Sequence, residues 1–188
     1  GYMGQYDVIV IGAGPAGTTV GALLAEMGRK VVLLEKASAP RYHIGESLIP
    51  YTWFTLNRLG LIDRLKNSHF TKKYSIQFVS QNGKVSQPFY FDSHFDHPAT
   101  QTWQVLRSEF DQILVENAEA KGAEWMALHT VHGASAEGPY VGATGFAVKF
   151  RMDVEIKATG QRITMEEIGV YTVKNGKVIQ EEFMYSMG

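Results

Sequence analysis

The most constraining feature of the chain is the run YDVIVIGAGPAGTTVGALLAEMG, followed at once by KVVLLEK. Residues 6–11 form a short apolar, β-branched stretch of the kind that makes a buried strand. GAGPAG follows, and the apolar positions then recur at helical spacing. Residues 30–36 read as a second buried strand. Strand, glycine turn, helix and strand make a βαβ unit, whose crossover implies parallel pairing. The glycines fall where a G-x-G-x-x-G fingerprint carries its mechanism. Gly12 permits the tight turn, Gly14 lets backbone approach a pyrophosphate, and Gly17 lets the helix lie against the strand. Pro15 and Ala16 open the helix, whose free N–H groups and partial positive charge suit a phosphate. Glu35 ends the second strand, 18 residues after Gly17. A carboxylate there suits a ribose diol and repels a 2′-phosphate. Lys36 follows it at the mouth of the same site.

Further along, residues 47–66 read as a helix in two pieces, with a break at Gly60. Residues 74–80 and 84–91 flank Asn82-Gly83, a tight-turn dipeptide. Residues 102–107 suggest a strand. SEFDQILVENAEAKG suggests a helix capped by Ser108, with Asp111 as the acid of a capping box and Gly122 as the stop. The period then changes. Phe146, Val148, Phe150, Met152, Val154 and Ile156 alternate with Lys149, Arg151, Asp153, Glu155 and Lys157, which predicts a strand with one wet face. Residues 162–173 and 177–185, joined by Asn175-Gly176, predict a hairpin. The predicted fold class is mixed α/β: a Rossmann-like βαβ unit followed by an antiparallel meander.

Composition sets the outer limits. Apolar residues are 45% of the 188 and charged residues 20%, enough for a sizeable core, and the net charge is −1. No basic face points to nucleic acid. There is no cysteine, so disulfides and thiolate chemistry are excluded. No apolar run has the length of a membrane span, no signal peptide precedes the first strand, and the expected location is the cytoplasm. His129 and His132 lack a nearby carboxylate in sequence, so no metal site is expected.

The segment APRYHIGESLIP, 39–50, resembles a motif of the flavin-dependent, tryptophan-type halogenases and the related class A flavoprotein monooxygenases. VLRSEFDQILVENAEAKGAE resembles their stretch around the helix after the flavin-facing strand. This resemblance covers about residues 6–124. It implies FAD, ahead of NAD, and brings Arg41, Gly45, Glu46, Ser47 and Arg107 to the cofactor. Read from residues alone, Arg41 and Glu46 make a surface ion pair. TKKYSIQFV resembles the segment that holds the halogenases' catalytic lysine. Aligned on Gln77-Phe78-Val79, Lys73 falls on that lysine, which in the family positions or carries the halogenating species. The bland reading of Lys73 is a solvated lysine before a strand. The family's Trp-x-Trp-x-Ile-Pro motif and its later Gly-Asp motif are not in this chain, which leaves the first part of a flavin-binding domain.

Residues 124–185 resemble instead the SnoaL-like group of the ketosteroid-isomerase-like (nuclear transport factor 2) superfamily, through HxVHG, ATGQR and the closing YTVKNGKVIQEEFMY. That group forms a cone of curved antiparallel sheet on helices, and its first two helices are missing here. The expected division is a partial FAD-binding domain, 1–124, and an antiparallel sheet, 125–188, packed as one composite domain. Natural fusion and engineered chimera both fit. The expected function is an FAD-binding fragment of halogenase or monooxygenase type with a small-molecule substrate. The alternatives are a non-enzymatic module of SnoaL-like type, or an isomerase or cyclase site in the cone. A homodimer through the antiparallel sheet is compatible with either.

Overall fold

The computed structural model describes residues 6–38 and 46–186. Its nucleus is a three-stranded parallel sheet of β1 (Val8–Ile11), β2 (Val31–Leu34) and β8 (Glu124–Met126), in the order β1-β2-β8. β2 reads Val-Val-Leu-Leu and all four residues are buried, as expected for a strand covered on both faces. Successive side chains point to opposite faces. Val31 and Leu33 join the core formed with α1 (Pro15–Glu26) and α4 (Arg107–Ala120), while Val32 and Leu34 meet Val154, Met152 and Val131 on the other side. The helices thus cover one face and the antiparallel sheet the other. α1 lies very close to β2, because a Cβ at Gly21 would fall 2.7 Å from Leu33 Cδ2.

The third parallel strand crosses the point where the sequence changes character. Trp125 and Met126 pair with Leu33 and Leu34. The Glu35 amide donates to the Met126 carbonyl, and the His129 amide donates to the Glu35 carbonyl. Tyr6 donates its hydroxyl to the Glu124 carboxylate. Burial, aided by that carboxylate, pushes the phenol up to about 12.

The antiparallel sheet has four strands in the order β12-β11-β10-β9: β9 (His129–Val141), β10 (Gly145–Ile156), β11 (Gln161–Lys174) and β12 (Lys177–Ser186). Sequence reading foresaw the last three and missed β9, whose glycines and Pro139 hide its alternation. The turn between β11 and β12 has both Asn175 (φ 52°) and Gly176 (φ 73°) in the left-handed region, as the dipeptide predicted. The apolar face of β10 is buried at one end only. Val154 is fully buried, Phe146 stacks on Tyr171 with ring centroids 4.8 Å apart, and Phe146, Val148 and Phe150 are half-buried. The opposite face carries the charges: Arg162 pairs with Asp153, Lys149 with Glu166 at 3.4 Å, and His132 with Glu155. Cross-strand register brings the Glu155 carboxylate to His132, although none is near it in sequence.

Three expectations need correction. Residues 47–66 are not helical from the start. Ser47 belongs to β3 (Glu46–Ser47), and the helices are α2 (Thr52–Arg58) and α3 (Ile62–Lys66), separated near Gly60 (φ 78°). Ser108 does not cap α4. The cap is Leu106, without a side-chain bond, because Asp111 is drawn to Arg107 one helical turn back. The first predicted hairpin is reduced to β5 (Ser75–Ile76) with β6 (Phe89–Tyr90) and one bridge, Val79 to Val85. Pro88 has no N–H to give a ladder there. β4 (Thr71–Lys73) and β3 instead flank β7 (Thr102–Val105), both antiparallel.

Glu167 lies on the β11 face that carries Met165 and Tyr171. Burial first, then the negative charge of Asp7, raises its pKa above the ordinary value. The folded chain therefore binds this proton more readily than the unfolded chain. The charged form weakens the fold at neutral pH, and the penalty disappears below the unfolded pKa of about 4.3. Glu167→Gln is expected to stabilise the fold at pH 7 by less than about 1 kcal/mol, because the group is half-exposed to screening water, and so to raise the melting temperature. The gain should vanish as the pH falls below about 4; a gain independent of pH in paired melts would contradict this.

Candidate functional site

The glycine loop between β1 and α1 has the geometry of a phosphate cradle. Gly12 has φ +97°, which side-chain-bearing residues rarely adopt. A Cβ at Gly17 would stand 2.0 Å from the Gly12 carbonyl oxygen, so only glycine lets the helix start this close to the turn. Gly14 is different. Its backbone is extended (φ −75°, ψ −176°) and a Cβ there would meet none of the described residues within 4 Å. The space over Gly14 is open to a ligand. No side chain caps α1, and Pro15 occupies its first turn. The first-turn N–H groups of Ala16 and Gly17 therefore remain for an anion, whereas the Thr18 amide is already bonded to the Gly14 carbonyl.

Glu35 closes one side of this loop. One carboxylate oxygen accepts from the Ala13 amide at 3.0 Å and the other from the Ala37 amide at 3.0 Å. The two bonds orient the group and leave acceptor capacity on both oxygens, since a carboxylate offers about four sites. Lys36 is exposed beside it. The loop and Glu35, separated by a strand and a helix in sequence, form one site across the carboxyl ends of adjacent parallel strands.

The second group of expected residues gathers around β7, from β3, β4 and the start of α4. Arg107 donates through Nε and Nη2 to Asp111 at 3.0 and 3.2 Å, and through Nη1 to Glu46. The adjacent Asp111 carboxylate holds the Arg107 pKa above its ordinary value. Among the described residues, Glu46 pairs with Arg107. Ser47 Oγ accepts from Lys73 Nζ, and that ammonium lies 5.7 Å from the Phe91 ring centroid. Arg41 and Gly45 lie outside the described residues. The contacts of Ser47 with Lys73 and of Glu46 with Arg107 were not visible in the sequence. Among the described residues, no three His, Asp or Glu side chains gather as a metal site, and no helix is long and apolar enough to cross a membrane.

A parallel βαβ unit with a Gly-x-Gly-x-x-Gly turn, an uncapped helix start and a carboxylate closing the second strand defines a dinucleotide-binding fold. A family model for tryptophan halogenase matches residues 7–136, and the chain belongs to that family. A SnoaL-like domain model matches residues 102–185, overlapping the first. A flavin-dependent halogenase of Armillaria mellea is 38% identical over 131 residues, covering 70% of this chain and 25% of the relative. A 1H-pyrrole-2-carbonyl-[peptidyl-carrier protein] brominase of Pseudoalteromonas luteoviolacea is 31% identical over 170 residues, 88% of this chain and 40% of the relative. Among solved structures, the myxobacterial FAD-dependent chondrochloren halogenase superposes with TM-score 0.69 and 35% identity, over 85% of this chain and 35% of its own. A flavoprotein/dehydrogenase of Cytophaga hutchinsonii gives TM-score 0.72 at 31% identity, over 87% and 37%. The chain therefore spans about a quarter to two fifths of the length of these relatives. Matches over 85–88% of the chain run well past residue 124, into the antiparallel sheet.

Proposed function

We propose that this chain is the FAD-binding part of a flavin-dependent halogenase, without the full catalytic apparatus. The observation that carries the reading is the open cradle over Gly14, bounded by the uncapped start of α1 and by Glu35. The residues present fit the cofactor. The pyrophosphate would rest over Gly12–Gly17 against the Ala16 and Gly17 amides. The ADP ribose diol would reach Glu35, already oriented by two backbone amides. Bound and reduced, the flavin would supply the oxygen-activating chemistry that oxidises halide or substrate. The chain's own part is to bind and orient: the loop takes the phosphates, Glu35 takes the ribose, and Lys73 offers an ammonium at the β7 cluster for the halogenating species. The relatives named as flavin-dependent halogenases support this reading at 38% and 35% identity. A small-molecule substrate is part of the same proposal.

Glu35 is the residue on which affinity should turn. A diol bonded to a carboxylate is a charge-assisted pair worth about 1.5–3 kcal/mol. Glu35→Ala is expected to weaken FAD binding roughly tenfold or more by fluorescence titration, with the half-exposed position leaving the fold intact. Unchanged affinity would remove Glu35 from the site. The competing reading, a non-enzymatic module of SnoaL-like type, predicts no flavin binding by either protein.

A further inference from the structure

We propose that Ser47 and Arg107 are positioning residues that hold the Lys73 ammonium in one place, through a chain of contacts anchored on the buried carboxylate of Asp111. The proposal rests on the reading of Lys73 given above and assigns it a support that no resemblance supplied.

The chain of contacts starts in the core. Asp111 is 5% exposed, and a carboxylate so buried must be paired. Arg107 meets it with two N–H groups, a fork-to-fork geometry that fixes the guanidinium plane. The third donor, Nη1, reaches Glu46. Glu46 belongs to a strand of only two residues, which pairs with β7 at Glu46 to Val105 and Ser47 to Gln104. So short a strand has little ladder of its own, and the arginine supplies a further tie at the residue next to Ser47. On the other side of β7, Lys73 pairs with Thr102. Thr102 and Gln104 are two residues apart, so they share a face of β7. Ser47 and Lys73 therefore lie on one face, and Lys73 reaches across β7 to the serine hydroxyl. Phe91, 6% exposed, presents its ring to the same ammonium within cation–π range. A lysine otherwise samples many positions on its four-carbon stem. Here a hydroxyl and a ring face limit it, and the hydroxyl is held in turn by the clamp behind it.

The test measures Lys73 directly in the full chain, without flavin. Trace acetylation with acetic anhydride is followed by mass spectrometry, with fragment ions that separate Lys73 from Lys72 and with Lys157 and Lys174 as internal references. The hydrogen bond to Ser47 must break before the amine can attack. Ser47→Ala is expected to raise Lys73 labelling roughly three- to tenfold, the equilibrium bias of one ordinary hydrogen bond. Ser47→Thr keeps the hydroxyl and should restore the wild-type value. Glu46→Gln, at an exposed residue that leaves the fold intact, should raise Lys73 labelling in the same direction by loosening the clamp. Unchanged labelling in Ser47→Ala overturns the proposal. A response to Ser47→Ala but not to Glu46→Gln overturns the role assigned to Arg107. A uniform rise at all lysines would report general loosening and also count against it. Failure of FAD to bind leaves this assay unaffected, and a negative result here leaves the dinucleotide site standing.

Discussion

Gly14→Val should abolish detectable FAD binding, weakening it at least about a hundredfold, while leaving the fold intact. The two halves of this expectation come from the same observation. The Gly14 backbone is extended, a conformation valine adopts readily, and a Cβ there touches none of the described residues within 4 Å. The variant side chain would stand in the open space where the pyrophosphate is proposed to lie. Loss of a glycine at this helix cap should cost no more than about 1 kcal/mol. Gly17→Ala makes the informative contrast. Its Cβ would stand 2.0 Å from the Gly12 carbonyl oxygen, so that variant should damage the turn itself. Melting curves and flavin titrations on both variants separate a ligand-contact glycine from a packing glycine. Full flavin affinity in folded Gly14→Val would overturn the cradle.

The second large effect concerns the junction. Residues 125–188 expressed alone are expected not to fold. In the whole chain, Trp125 and Met126 are the third parallel strand beside β2, and Val154 is fully buried against Val32 and Leu34. A cut before Trp125 removes β2 and both helices at once. Fully burying a large apolar side chain is worth roughly 1.5–3 kcal/mol, so losing the cover of the fully buried Val154 and the partly buried Met152, Val131, Met126 and Trp125 removes a large share of a typical domain stability. We propose that the two parts form one composite unit that melts in a single cooperative transition. Amide NMR and thermal melting of the isolated piece test this. Aggregation or collapsed dispersion is the expected result; a well-dispersed monomer spectrum with a sharp melt would show an autonomous domain.

How far the sequence could be read depended on whether local chemistry or long-range register decided an outcome. Gly12, Gly14 and Gly17 have fixed offsets with a steric reason at each, so the turn, the helix start and the role offered to Glu35 could be argued from spacing. Asn175-Gly176 was legible for the same reason. β8 and β9 were not. β8 is three residues long and takes its identity from β2, while β9 contains two glycines and a proline that break its alternation. Ser108 looked like a cap, yet Asp111 had a stronger partner in Arg107. The contact of Lys73 with Ser47 depends on two strands flanking a third, which no spacing rule encodes. His132 and Glu155 met through cross-strand register in the same way.

The most direct measurement is an FAD titration of the purified wild-type chain, followed by flavin fluorescence quenching and by the shift of the flavin absorbance bands, with NAD as the comparison. Saturable one-to-one FAD binding, tighter than NAD and lost in Gly14→Val, is the predicted result. A chain that is folded by its melting curve yet shows no saturable FAD binding would contradict the account.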